Sequence, residues 1–166
     1  MSFVERFRSD FAQEMKSTRP VIERVPGERV EWRPHPKSFP LGHLTQLVAR
    51  MPSWIANMAT QPQIDLAKTP GYSFETSESM LREFDEAVRE ATTALSTLKE
   101  SQLEDSWSLM AGGQLVVAEK RGNMLGQTLR HLVHHRGQMT VYLRLLDVPV
   151  PITYGPTADD RGSFGI

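Results

Sequence analysis

Apolar residues recur at intervals of three and four along four separate stretches of the chain, the spacing that places them on one face of an α-helix. Phe3, Phe7, Phe11 and Met15 repeat every four residues with charges between them. Val21, Ile22 and Val25 continue the stripe beyond a kink at Pro20, so a first helix is expected from 3 to 25, closed by Pro26-Gly27. Leu41, Leu44, Val48, Met51, Ile55 and Met58 predict a second helix over 39–59, with Pro52 projecting away from the seam. Met80, Phe84, Val88, Ala91, Leu95 and Leu98 predict a third over 77–99, whose charges Glu78 with Arg82 and Asp85 with Arg89 pair along its exposed face. The fourth, 123–146, carries Met124, Leu125, Leu129, Leu132, Met139, Tyr142, Leu143 and Leu146, with Asn123 as N-cap and Asp147-Val148-Pro149 as its stop.

The connections complete the architecture. Glu31 to Ser38 is a proline-held segment in which Trp32 packs beneath the loop and His35 faces solvent. Residues 60–76 are polar, contain Pro62, Pro70 and Gly71, and form the longest connection, a crossover able to cover a pocket mouth. Ser106–Met110 and Gln114–Val117 flank Ala111-Gly112-Gly113, a hairpin signal because glycine tolerates the positive φ of a tight turn. The expected fold is an all-α four-helix bundle with a long crossover between helices two and three and a short β-hairpin before helix four. It occupies 1–150 as one domain, followed by an extended C-terminal tail, 151–166, lying over the surface or across a dimer.

Composition narrows the functions. The 166 residues include no cysteine, which removes disulfides and thiolate–metal sites, and 39% are hydrophobic, enough to build a proper core. A net charge of −1 with mixed signs gives no long-range attraction for nucleic acid or for an anionic membrane. No apolar run reaches the roughly 18 residues of a membrane span, so the expected location is cytoplasmic. The sequence contains no phosphate-binding glycine loop, nucleophile elbow or His-Glu-x-x-His arrangement.

What remains is a concentration of histidine: His131, His134 and His135 lie within the stretch Arg130 to Gln138. At roughly 100° per residue from His131, the apolar stripe of helix four spans about 20° to 160°. His135, at about 40°, falls inside it, His131 on its edge and His134, near 300°, outside. An i, i+4 pair on one face can bring two imidazole nitrogens to one ion, although a pair alone needs a third ligand. Arg136, near 140°, is anomalous among apolar neighbours and marks a polar pocket. His43, Leu47 and Trp54 share one flank of helix two, from which a ligand can be wrapped.

These features resemble the DinB/YfiT-like superfamily of bacterial four-helix bundles. The resemblance runs from the Pro26–Ser38 connection through Leu41-Gly42 and Met51-Pro52-Ser53-Trp54 to Tyr142-Leu143-Arg144-Leu145 and Tyr154-Gly155-Pro156-Thr157-Ala158-Asp159, and is most specific at His131 to Gln138. It implies a divalent metal, zinc or nickel, held by a second-helix histidine together with the positions of His131 and His135, with coordination positions left open. It also implies the thiol-dependent activities of relatives such as mycothiol-dependent isomerases and bacillithiol transferases. This chain departs from the pattern at Leu47, which stands where the family has its second-helix histidine. His43 lies one turn earlier on the same side, about 6 Å along the axis, and is the candidate replacement.

Two functions stay open on this basis. One is a metal-dependent small-thiol S-transferase or hydrolase with His43, His131 and His135 as metal ligands and no catalytic side chain assigned. The other is a non-catalytic dimeric bundle that binds a small molecule and keeps a degenerate metal site. Either way the expected partner is a second copy of the chain.

Overall fold

The structure, a computed structural model, describes residues 1–160. The helices are α1 (Phe3–Glu23), α2 (Leu41–Thr60), α3 (Ser77–Thr97) and α4 (Arg121–Leu145). Three short strands, β1 (Gln63–Asp65), β2 (Ser106–Ala111) and β3 (Gln114–Lys120), form one small sheet. α2 packs against both α3 and α4, and α1 lies against the same two helices. The four-helix expectation and the hairpin before α4 both hold, and the chain folds as a bundle with a sheet on one side.

The predicted stripes are the buried ones. Phe7, Phe11 and Met15 of α1, Leu44, Val48 and Ile55 of α2, Phe84 and Leu95 of α3, and Leu125, Leu132 and Met139 of α4 meet in one core. Fully burying each large side chain of this kind is worth about 1.5–3 kcal/mol. Phe3 remains 43% exposed while stacking on Phe7 at 5.9 Å, and Val88 and Leu146 are only partly buried. α1 begins with a reciprocal capping box, in which Ser2 Oγ accepts from the Glu5 N–H and the Ser2 N–H donates to the Glu5 carboxylate.

Several local expectations are corrected. α1 ends at Glu23 rather than 25, and both α1 and α2 run on through Pro20 and Pro52. Pro52 is buried rather than turned away from the seam. Asn123 does not cap α4, which starts at Arg121 with no side-chain cap. The start lies two residues earlier because the hairpin runs straight into the helix, and Arg121 is itself buried, donating to the Met58 and Gln61 carbonyls at the end of α2. A cation there also favours the negative end of the α2 dipole. On α3, Glu78 pairs with Arg82 as expected, but Asp85 takes a bidentate pair with Arg19 of α1 at 2.9 Å and Arg89 turns to Glu86.

The crossover from α2 to α3 contains a strand that the sequence pattern does not show. β1 pairs in parallel with β2, Gln63 to Ser108 and Asp65 to Met110, while β2 and β3 are antiparallel with a bulge at Leu109/Met110. Gly112 and Gly113 take φ of 59° and 81°, the left-handed conformations that let the hairpin close in two residues. The Asp65 carboxylate locks this sheet by accepting from the N–H groups of Ala67, Gly112 and Gly113 at 3.0, 2.9 and 3.2 Å. Those backbone donors hold its carboxyl below the ordinary aspartate value. Gly42 marks another close approach: a Cβ there would stand 2.9 Å from Val30 Cβ and 2.6 Å from the Tyr72 hydroxyl.

Beyond α4 the chain folds back over α1 and α4 of the same molecule. Val150 and Pro151 are buried, Ser17 Oγ donates to Thr153 O, and the Tyr154 hydroxyl donates to the Glu14 carboxylate at 2.8 Å. Asp159 pairs with Arg144 and accepts from the Val150 N–H at 2.8 Å. Residues 161–166 of the expected tail lie outside the described residues.

Candidate functional site

His131 and His135 stand one turn apart on α4 and turn toward each other, with their Nε2 atoms 2.7 Å apart. His135 is buried and His131 is exposed. The Nδ1 of His135 lies 2.7 Å from Gln138 Oε1. An amide oxygen only accepts, so Nδ1 carries the hydrogen and the His135 Nε2 presents a lone pair. Such a bond is what fixes the tautomer and orientation of a metal-binding imidazole. Sequence reasoning gave Gln138 no role, although its i+3 position relative to His135 is the available signal. Enclosure by protein pushes both imidazoles below their ordinary pKa. At His131 the neighbouring His135 adds to this, and at His135 the Gln138 bond opposes it. Both are therefore neutral at pH 7, the form that binds metal.

Two nitrogens each about 2.0–2.1 Å from one ion stand roughly 3.3 Å apart in a tetrahedron and about 2.9 Å apart at right angles. The observed pair is slightly tighter than either, so a small opening of the rings fits it to an ion as half of a coordination shell. Among the described residues, no three His, Cys, Asp or Glu side chains come together as a set able to hold an ion. His43 is turned elsewhere, its ring 4.7 Å from Phe39 and stacked on Tyr72 at 5.1 Å. Phe39 is the common neighbour, lying 6.3 Å from the His135 ring as well. His134 is exposed, as its place on the helix predicts, with its ring 5.0 Å from His135.

Two cavities flank this part of α2 and share Trp54 and Ile64. The first, about 300 Å³, takes its walls from His43, Leu47 and Trp54 together with the crossover residues Thr69 to Tyr72. The crossover thus lines a pocket as its position suggests. Its charged members are already engaged, with Arg50 donating to Glu83 at 2.5 Å and to the Pro70 and Gly71 carbonyls. The second, about 440 Å³, lies between α2, the sheet and α4, and His131 is on its wall.

A four-helix bundle carrying an i, i+4 histidine pair beside a cavity is the class of protein that fold and geometry define. The model of the DinB family matches residues 1–161, and the chain belongs to that family. Over 45 residues it is 42% identical to the uncharacterized protein YrdA of Bacillus subtilis, a match spanning 27% of each chain. Among solved structures it resembles the DinB-like protein YjoA of Bacillus subtilis with a TM-score of 0.71 and 17% identity, covering 89% of this chain and 97% of that one. A DinB-like protein from Bacillus cereus gives 0.73 and 20% identity over 90% and 97%. At these identities the likeness is one of fold. No described helix is long and apolar enough to cross a membrane.

Proposed function

We propose that this chain is a metal-binding member of its family in which His131 and His135 hold a divalent ion, zinc or nickel, for transfer of a small thiol to an electrophile. The observation that carries the reading is the convergence of the two Nε2 atoms at 2.7 Å with the outer nitrogen of His135 anchored on Gln138. When bound, the ion would act as a Lewis acid that lowers the pKa of a coordinated thiol or water. His131 and His135 supply two neutral ligands, Gln138 fixes the tautomer, and the adjoining cavity supplies room for the reacting partner. His43 completes a three-histidine set only by leaving its stack with Phe39 and Tyr72. Otherwise solvent completes the shell.

Titration of zinc and nickel into untagged apo protein tests this. Wild type is expected to bind, His131→Ala to weaken binding at least tenfold, and His134→Ala to leave it unchanged. Leu47→His, which restores the family pattern, is expected to tighten binding by orders of magnitude. Wild-type binding that His43→Ala does not weaken removes His43 from the site. Failure of both wild type and Leu47→His to bind either ion overturns the metal reading. The transfer reading is checked by consumption of cysteine as probe thiol with a haloaromatic electrophile, which should require the loaded ion.

The second reading, a dimeric bundle without chemistry, draws its support from β3. This edge strand leaves Leu115 61% and Val116 57% exposed, and its outer edge has no partner strand among the described residues, the kind of edge that pairs with another chain. Sedimentation of wild type and Val116→Lys at high micromolar concentration decides it, because a β3-paired dimer should dissociate in the variant.

A further inference from the structure

The second cavity is built unlike the first. From α2 come Trp54 and Met58, from the sheet Ile64, Trp107 and Leu109, and from the turn just after β1 Leu66. Several of these are only partly buried: Trp54, Ile64 and Leu109 pack against the core and also face open space, and Leu66 is 44% exposed. A bundle this size has no need to leave so much apolar surface uncovered at one place. No Asp, Glu, Lys or Arg lines the cavity, so a charged occupant would find no counter-charge and would lose its hydration. The polar groups are confined to the α4 wall, where Gln127, Thr128 and His131 follow one another around the helix. Thr128 spends its hydroxyl on the Met58 sulfur at 3.5 Å, a weak acceptor that a ligand oxygen would outcompete. Met58 and Met124 give opposite walls the unbranched, polarizable side chains that reshape around a flat apolar body. The volume, about 440 Å³, lies in the usual range for small-molecule sites.

We propose that this cavity is a binding site for an uncharged, largely apolar small molecule of about the size of two fused rings. Its apolar body lies against Trp54, Ile64 and Leu109, and a single hydrogen-bonding group is turned to Thr128 and His131. The proposal rests on the metal reading in one respect: it places the ligand's polar end beside the ion held by His131, and so names the electrophile as an apolar one. Binding of the apolar body does not require the ion. The sheet has a stated part in it, because the Asp65 carboxylate that ties β1 to the hairpin turn keeps Ile64 and Leu109 on one wall. Asp65 is therefore a positioning residue for the cavity.

The test uses N-phenyl-1-naphthylamine, a neutral aromatic probe that fluoresces on entering apolar surroundings, with excess chelator present so that no ion is bound. The full chain should bind it saturably at one site in the micromolar range. Leu109→Lys should weaken this at least tenfold, and Asp65→Ala should weaken it severalfold while Asp65→Asn retains more of it. Leu115→Lys, on the exposed strand edge, should leave it unchanged. As a readout that needs no variant, methionine methyl resonances of wild type should shift on addition of probe at Met58 and Met124, and stay fixed at Met15 and Met80. Absence of saturable binding, equal binding by Leu109→Lys, or shifts that miss Met58 and Met124 overturns the proposal. A loss on Leu115→Lys alone does so too, by moving the probe to a surface between copies of the chain. Because the chelator is present throughout, failure of the metal reading leaves these results untouched. Tight zinc binding without probe binding sinks the cavity alone.

Discussion

His135 and Arg136 are adjacent in sequence and both buried on α4, yet their polar atoms meet opposite circumstances. Arg136 faces α1, where its Nη1 donates to the Glu14 carboxylate at 2.7 Å and to Glu14 O and Thr18 Oγ1, both at 3.1 Å. Its guanidinium lies 4.9 Å from the centre of the Tyr154 ring, and Tyr154 in turn holds Glu14, although the Arg136 Nη2 has no hydrogen-bond partner among the described residues. Here a charge is enclosed together with its counter-charge, and Nη1 is fully engaged in holding α4 to α1. His135 faces the other way. One nitrogen is spent on Gln138, and the other meets only its own kind in His131. A buried cation held by its counter-charge reads as structure. A pair of like groups, one buried and one exposed, turned toward each other beside a cavity reads as a site.

The largest effects should come from breaking the Arg136 side. Arg136→Ala leaves the Glu14 carboxylate, only 16% exposed, without its cation, and removing one member of a buried pair costs about 3–5 kcal/mol. For a chain of this length that lowers the melting temperature by on the order of 10 °C. Zinc affinity measured below the transition should be unchanged. Loss of zinc binding in Arg136→Ala, with the fold intact by circular dichroism, would dissolve the distinction between the two sides. His135→Ala should show the reverse, with zinc affinity reduced at least tenfold. Its stability in chelator should fall by less, about 1–3 kcal/mol, since a neutral side chain and its hydrogen bonds to Gln138 and His131 are removed. A loss as large as that of Arg136→Ala would make His135 a structural residue.

The sequence exposes the two sides unequally. The histidine pair is legible because its geometry is local, fixed by an i, i+4 spacing and a stripe that any helix of this pattern must bury. Arg136 stands out in the same projection as a charge on the apolar arc, but its partners lie on α1 and in the tail, and no local period connects them. The same division runs through the fold. Four stripes and a Gly-Gly turn reveal the helices and the hairpin, whereas β1 exists only by parallel pairing with β2 across α3, and Asp85 leaves its i+4 neighbour for Arg19. Asn123 fails as an N-cap for a related reason: the strand before it continues into the helix and leaves no turn to cap. Gln138 belongs to the local side as well, since it stands at i+3 from His135 and bonds its second nitrogen.

A finer probe of the Arg136 side is Tyr154→Phe, which keeps the ring over the guanidinium and deletes the hydroxyl's bond to Glu14. The expected cost is about 0.5–1.5 kcal/mol, read from the urea midpoint at unchanged slope. Tyr154→Leu removes the ring as well and should cost more by the cation–π contribution, about 0.5–1 kcal/mol at a partly exposed site. Equal stability of the two variants would show that the tail is held by Thr153 and Asp159 rather than by this contact.

The smallest effect is one of pH, and it arises on the histidine side. Both His131 and His135 have folded-state pKa values below the ordinary imidazole value, chiefly because protein encloses them. The unfolded chain, with imidazoles near 6.5, therefore takes up protons more readily than the folded one as the solution is acidified. Stability from this source is complete above about pH 6.5 and is lost as pH falls from there toward the folded values, below which no more is lost. In chelator, the urea midpoint of wild type should decline between pH 6.5 and 5. The double variant His131→Asn/His135→Gln should decline less. A double variant whose midpoint falls as steeply as wild type would show that the paired imidazoles are not what the acid protonates.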